Sequence, residues 1–191
     1  TPCSSRKKRG GGVENKLILY IAMSLDGYIA GKDGGIDFLY DTPSPEPDLD
    51  YEAFYASVQA IIMGGATYRQ IRDELSPSRW PYPGMPCYVY TRRQEPENPN
   101  ACFTQLPPRR LLDAVWREHP GKIWLMGGGQ VIRGFLRENL IDEYEIYVQP
   151  TVLGEGIPLF PADFPKTNLT LKSCRSIGEI VELRYQRRET P

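Results

Sequence analysis

Lys122-Ile123-Trp124-Leu125-Met126-Gly127-Gly128-Gly129-Gln130-Val131-Ile132 is an apolar strand that breaks into three glycines and restarts as a helix. Residues without a Cβ let a ligand approach the backbone, and the helix that follows turns its unpaired N–H groups and positive dipole end toward that ligand. An anion is the expected occupant, and the phosphates of a dinucleotide fit. Gly-rich strand-to-helix turns also serve only to bring a helix close to a sheet, so the stretch by itself leaves both readings open.

Two earlier segments repeat the theme of an apolar strand followed at once by small, hydroxylic or basic residues. Ala60-Ile61-Ile62-Met63 leads to Gly64-Gly65-Ala66-Thr67-Tyr68-Arg69, and Cys87-Tyr88-Val89-Tyr90 leads to Thr91-Arg92-Arg93. Strands alternating with helices predict a mostly parallel α/β sheet whose ligands gather outside the carboxyl ends of the strands, all three on one edge. The crossover helices are Leu111–Arg117 and the Val131-Ile132, Phe135-Leu136 stripe. Gly127 to Gly129 would take a pyrophosphate, with Gly64, Gly65 and Thr67 on its other side. A hydroxyl and two guanidinium groups at Thr91, Arg92 and Arg93 suit a 2′-phosphate, so NADPH is favoured over NADH. The formal G-x-G-x-x-G pattern fails because Ile132 holds the place of its last glycine, which disfavours a standard Rossmann dehydrogenase.

Further out, Leu17 to Met23 is a near-continuous apolar run, as expected of a central strand covered on both faces. Ser24 to Gly35 is rich in glycine and aspartate yet keeps apolar residues, so it reads as a mobile loop packed over something. Asp41-Thr42-Pro43-Ser44-Pro45-Glu46-Pro47 cannot be helical, which puts a first helix from about Asp48 to Ser57. Alternation at Tyr144, Ile146 and Val148, then Leu169 to Leu171 and Ile180 to Tyr185, predicts an antiparallel edge that ends the sheet. Residues 1–16, with a basic cluster and Gly10-Gly11-Gly12, read as a flexible arm, and one folded domain spans 17–188.

The 191 residues are 40% apolar and 25% charged, with a net charge of −1. That balance gives no field drawing the chain to nucleic acid or to an acidic membrane surface. No apolar run reaches membrane-spanning length and no secretory signal stands at the N-terminus, so the expected location is cytoplasmic. Four scattered cysteines and one histidine indicate neither a metal site nor a disulfide framework. Cys87 reads as a small buried hydrophobe. His119, in a polar turn before Pro120, reads as a solvated loop residue, which leaves a Ser-His or Cys-His hydrolase without support.

In order along the chain, Ile21–Ala30, Ile62–Tyr68, Tyr90–Arg93, Met126–Gly129 and Pro150–Phe160 resemble the dihydrofolate reductase superfamily. Within it the chain is most similar to the branch that includes the reductase domain of riboflavin biosynthesis, over roughly residues 17 to 186. The resemblance implies a dihydrofolate-reductase-like three-layer sandwich: a central, mostly parallel sheet of eight or nine strands, with NADPH across its carboxyl edge. It places Ala22, Ile29 and Ala30 at the nicotinamide and Gly64, Gly65, Ala66 and Thr67 on the pyrophosphate side. Thr91, Arg92 and Arg93 go to the adenosine phosphate, and Met126, Gly127, Gly128, Gly129, Gln130 and Val131 to the pyrophosphate region, which Glu155 and Gly156 close. Relatives that reduce folates use a carboxylate on the first helix to hold the substrate and promote its protonation, a task for an acid buried against the ring. Asp48 stands near that place, and Asp26 and Asp37 flank the mobile loop, so these three are the candidate catalytic acids. Helix caps and turn formers carry the same residue types.

The expected activity is that of an NADPH-dependent oxidoreductase delivering hydride to a pterin, pyrimidine or related small heterocycle. The Cys/His zinc motif of a companion deaminase is missing, which argues against a bifunctional riboflavin enzyme. The competing reading is a non-catalytic NADPH-binding sensor or interaction module. A homodimer is compatible with the resemblance; nucleic acid and membrane partners are not expected.

Overall fold

The computed structural model describes residues 13–42 and 49–188. These residues form ten strands and four α-helices. An eight-stranded sheet contains β5 (Ala101–Thr104), β4 (Cys87–Tyr90), β3 (Val58–Gly64), β6 (Lys122–Gly127), β1 (Lys16–Ser24), β7 (Glu143–Gln149), β10 (Ile180–Arg187) and β9 (Leu169–Ile177), in that order. The first six run parallel, and β10 and β9 complete the sheet antiparallel. A separate antiparallel pair joins β2 (Tyr28–Ala30) to β8 (Ile157–Pro158). The central strand is the one expected, since β1 lies between β6 and β7 with Leu17 beside Ile123 and Ala22 beside Tyr147.

Alternation of side chains along the strands splits the interior into two layers. On one face Leu17, Leu19, Ile62 and Leu125 pack against Leu112 and Val115 of α3 (Pro108–Glu118) and Ile132 and Phe135 of α4 (Gly129–Arg137). On the other, Ile18, Ile61, Met63 and Trp124 meet Phe54 of α1 (Leu49–Ser57) and Tyr68 of α2 (Gly65–Gln70), which continues as a π-helical turn over Ile71–Leu75. This second layer is aromatic: Tyr20 stacks on Phe54 at 4.1 Å between centroids, and Trp124 stands edge-on to Phe54 and to Tyr82. Its indole N–H donates to the Tyr20 carbonyl at 3.0 Å. Each fully buried aliphatic side chain contributes about 1.5–3 kcal/mol, so this shared burial, not helix propensity, holds the short helices in place.

The expected first helix is α1, while Asp48 and the Pro-rich run before it lie outside the described residues, as does the basic cluster of the arm. Strand structure starts at Lys16, and the Gly121 N–H donates to Asn15 Oδ1 at 2.8 Å. No helix follows β4; a loop holding Pro96 and Pro99 crosses directly to β5, because proline removes the donors a helix needs. His119 is the C-cap of α3, its N–H donating to the Val115 carbonyl at 2.7 Å. Among the described residues no helix is long and apolar enough to cross a membrane.

Candidate functional site

The carboxyl ends of β1, β3 and β6 open into one cleft of about 1040 Å³. Its wall gathers Ala22 from β1, Ile29 and Ala30 from β2, and Gly64, Gly65, Ala66 and Thr67 from the β3–α2 turn. Met126, Gly128, Gly129, Gln130 and Val131 come from the turn into α4. A second cavity of about 390 Å³, lined by Thr91 and Arg92, shares Tyr90, Gln130 and Val131 with the first. The two form one trough that runs from β1 to the end of β4.

Local conformation explains the glycines. Gly127 has φ of +122°, a region that side chains disfavour, and its peptide bond to Gly128 is cis. It lies behind the wall, where a Cβ would touch Ile21 and Ile132 at about 3.5 Å. Gly128 caps α4 without a side-chain hydrogen bond, and its carbonyl accepts from the N–H groups of Val131 and Ile132. The N–H groups of Gly129 and Gln130, in the first turn of α4 at the positive end of the helix dipole, have no partner among the described residues. A Cβ at Gly129 would come within 3.2 Å of the Pro158 carbonyl, so β8 lies directly against the start of α4. Tyr90 lines both cavities, and its phenol oxygen is buried without a hydrogen-bond partner among the described residues.

Other candidates stand elsewhere. Arg93 is exposed and its N–H donates to Thr91 Oγ1 at 3.0 Å, which orders the turn. Glu155 is exposed and ion-paired to Lys32, outside the wall. The Asp26 carboxylate accepts from the Ser24 hydroxyl at 2.6 Å and from the N–H groups of Leu153 and Gly154 at 3.1 and 2.7 Å. Those donors, the Ser24 hydroxyl foremost, hold its carboxyl below the usual carboxylate range, and it does not line the cleft. Asp37 is exposed at the start of the 3₁₀ turn Asp37–Leu39 and is absent from the wall as well. Asp48 lies outside the described residues.

Among the described residues the carboxylates that reach the wall are Asp33 and Glu74. Asp33 sits in the glycine turn, where its Oδ1 accepts from the Gly35 N–H at 2.9 Å, and the Gln70 amide donates to the Gly34 carbonyl at 3.0 Å, tying that loop to α2. Tyr20 and Tyr82, each 5.8 Å from the Trp124 ring between centroids, give the wall an aromatic cluster, and Leu39 and Leu75 add apolar surface to it. Only the period of two along β1, which puts Tyr20 on the face of Ala22, hinted at Tyr20; Glu74 and Tyr82 carry no local signal. Among the described residues no three His, Cys, Asp or Glu side chains converge to hold a metal.

A parallel sheet crossed at its carboxyl edge by such a trough defines a reductase-like fold of the dihydrofolate reductase type. A dihydrofolate reductase from Enterococcus faecalis, solved with NADP(H) and RAB-propyl, superposes with a TM-score of 0.60 at 16% identity, over 91% of this chain and 97% of that one. Residues 15–183 match the family described as RibD C-terminal domain, and the chain belongs to that family. A candidate riboflavin biosynthesis protein from Shewanella sp. PV-4 gives a TM-score of 0.80 at 28% identity, covering 91% of this chain and 99% of that one. The uncharacterized protein YwjB of Bacillus subtilis (strain 168) is 39% identical over 176 residues, 92% of this chain and 99% of YwjB.

Proposed function

We propose that the chain is an NADPH-dependent reductase that transfers hydride to a planar heterocycle of the pterin or pyrimidine class. The observation that carries this reading is the continuity of the trough, from an aromatic end at Tyr20 and Trp124, past the uncapped start of α4, to Thr91 and Arg92. Its donors match a dinucleotide: two free N–H groups at Gly129 and Gln130 for a pyrophosphate, and a guanidinium at the far end for a further phosphate. When bound, the nicotinamide supplies the hydride. The protein places the two reactants, keeps water from the ring against Ala22, Ile29 and Ala30, and offers Asp33 or Glu74 to hold an N–H of the heterocycle.

The test is a titration of purified protein with NADPH and NADH, read by cofactor fluorescence and melting temperature, followed by assays of NADPH oxidation with dihydropterins and aminopyrimidines. Tighter binding of NADPH and turnover with one acceptor class support the reading. Binding without oxidation by any acceptor would favour a cofactor sensor, and no binding of either dinucleotide would end both readings.

A further inference from the structure

Arg69 occupies a place that neither the glycine turns nor the Thr91-Arg92-Arg93 run explains. It projects from the last turn of α2, lines the cleft, and is only 26% exposed. Its Nη1 lies 3.1 Å from where a Cβ of Gly65 would be, and that same point is 3.1 Å from Thr91 Oγ1. The missing side chain at Gly65 is therefore the space that brings this guanidinium from one helical turn away to the carboxyl end of β4.

A buried carboxylate fixes it there. Glu95, whose side chain is 4% exposed, accepts from Arg69 Nη1 at 2.6 Å and from Arg72 Nη1 at 3.3 Å. Arg72 gives its remaining donors to Asp73, at 2.5 and 2.7 Å, and lies over the Tyr68 ring. Arg69 is different: its Nε and Nη2 have no partner among the described residues. An oriented guanidinium with a free N–H pair on a cleft wall is a receptor for a planar or tetrahedral oxyanion. An arginine whose sole role was to neutralise Glu95 would have no need to border the cleft.

Resting on the dinucleotide reading above, we infer that Arg69 contacts the 2′-phosphate of the cofactor and sets the preference for NADPH over NADH, with Glu95 holding its guanidinium in register. The phosphate lies between Arg69 and Thr91, and Arg92 adds charge from the neighbouring cavity. Adenosine 2′,5′-bisphosphate and adenosine 5′-monophosphate serve as probes, because they differ only in the 2′-phosphate and need no chemistry at the nicotinamide.

The experiment titrates the full chain and its Arg69→Gln variant with both probes and with NADPH and NADH, while melting temperature reports folding. A charge-assisted contact is worth enough that Arg69→Gln should weaken the bisphosphate and NADPH about tenfold or more, and leave the monophosphate and NADH within about twofold. Equal weakening of all four ligands would move Arg69 to the adenosine 5′-phosphate that they share and overturn the inference, and unchanged affinity for NADPH would overturn it outright. Wild-type protein that binds none of the four would remove the dinucleotide reading and this inference with it. NADPH bound with the Arg69 dependence but never oxidised would sink the reductase reading and leave the inference standing.

Discussion

Asp26 shows how one residue type serves two chemistries that sequence cannot separate. A carboxylate beside a glycine-rich loop is equally the signature of a pocket acid and of a loop tie, and here it joins the end of β1 to Leu153 and Gly154, 127 and 128 positions away. Its neighbour Gly27, with φ of +89°, was legible as a turn; the long-range partners were not, because nothing local encodes them. Replacing Asp26 with Asn removes the charge that holds both amides, and hydrogen exchange should quicken at Leu153 and Gly154 while the centre of β1 stays protected. Gly156 is constrained in the opposite sense. A Cβ there would lie 2.2 Å from the Ala30 carbonyl oxygen, so Gly156→Ala must push β8 off β2. We expect it to cost about 1–3 kcal/mol in urea unfolding, the range for overpacked sites.

At the level of elements, those whose chemistry is local could be read directly. The triple glycine, the Leu111–Arg117 stretch of α3 and the apolar run of β1 each declare themselves within ten residues or so, whereas the start of α3 at Pro108 was not read. The two-residue β8 and three-residue β2 could not, since such short pieces are strands only because each finds the other across 127 or more positions. They matter nonetheless, because β8 closes the trough against the start of α4. Adding one methyl group at that junction with Gly129→Ala places it 3.2 Å from the Pro158 carbonyl and 3.4 Å from the Ile157 side chain. The two elements must part by a few tenths of an ångström. Dinucleotide affinity should fall severalfold in a fluorescence titration, because the donors at the N-terminus of α4 lose their alignment.

Across the whole molecule, the antiparallel end of the sheet buries a charge that makes stability depend on pH. Glu182, 1% exposed, accepts from the Tyr147 hydroxyl at 2.8 Å and from Arg184 at 2.7 Å, and pairs with Arg175. Burial opposes its ionisation, yet the two guanidinium groups and the phenol win and hold its carboxyl at about 2. A folded-state value below the unfolded one means the contribution is complete above about 4.5 and disappears as pH falls toward 2. Roughly 3 kcal/mol should be lost over that window in denaturant unfolding, and Glu182→Gln should flatten the acid limb. The proposed cofactor gives the converse test: on that proposal, NADPH at 100 times its dissociation constant should add about 2.7 kcal/mol, or roughly 5–10 °C of melting temperature for a chain of this size. The three described thiols divide by their place in the sheet. Burial pushes Cys87 up to about 12, whereas Cys102 and Cys174 are exposed on β5 and β9, the two outermost strands. Seven strand spacings of about 4.8 Å put them roughly 34 Å apart. With Cys3 replaced by serine, two dyes on these thiols would form an optical ruler across the full width of the sheet, reporting its unravelling from either margin while leaving the trough untouched.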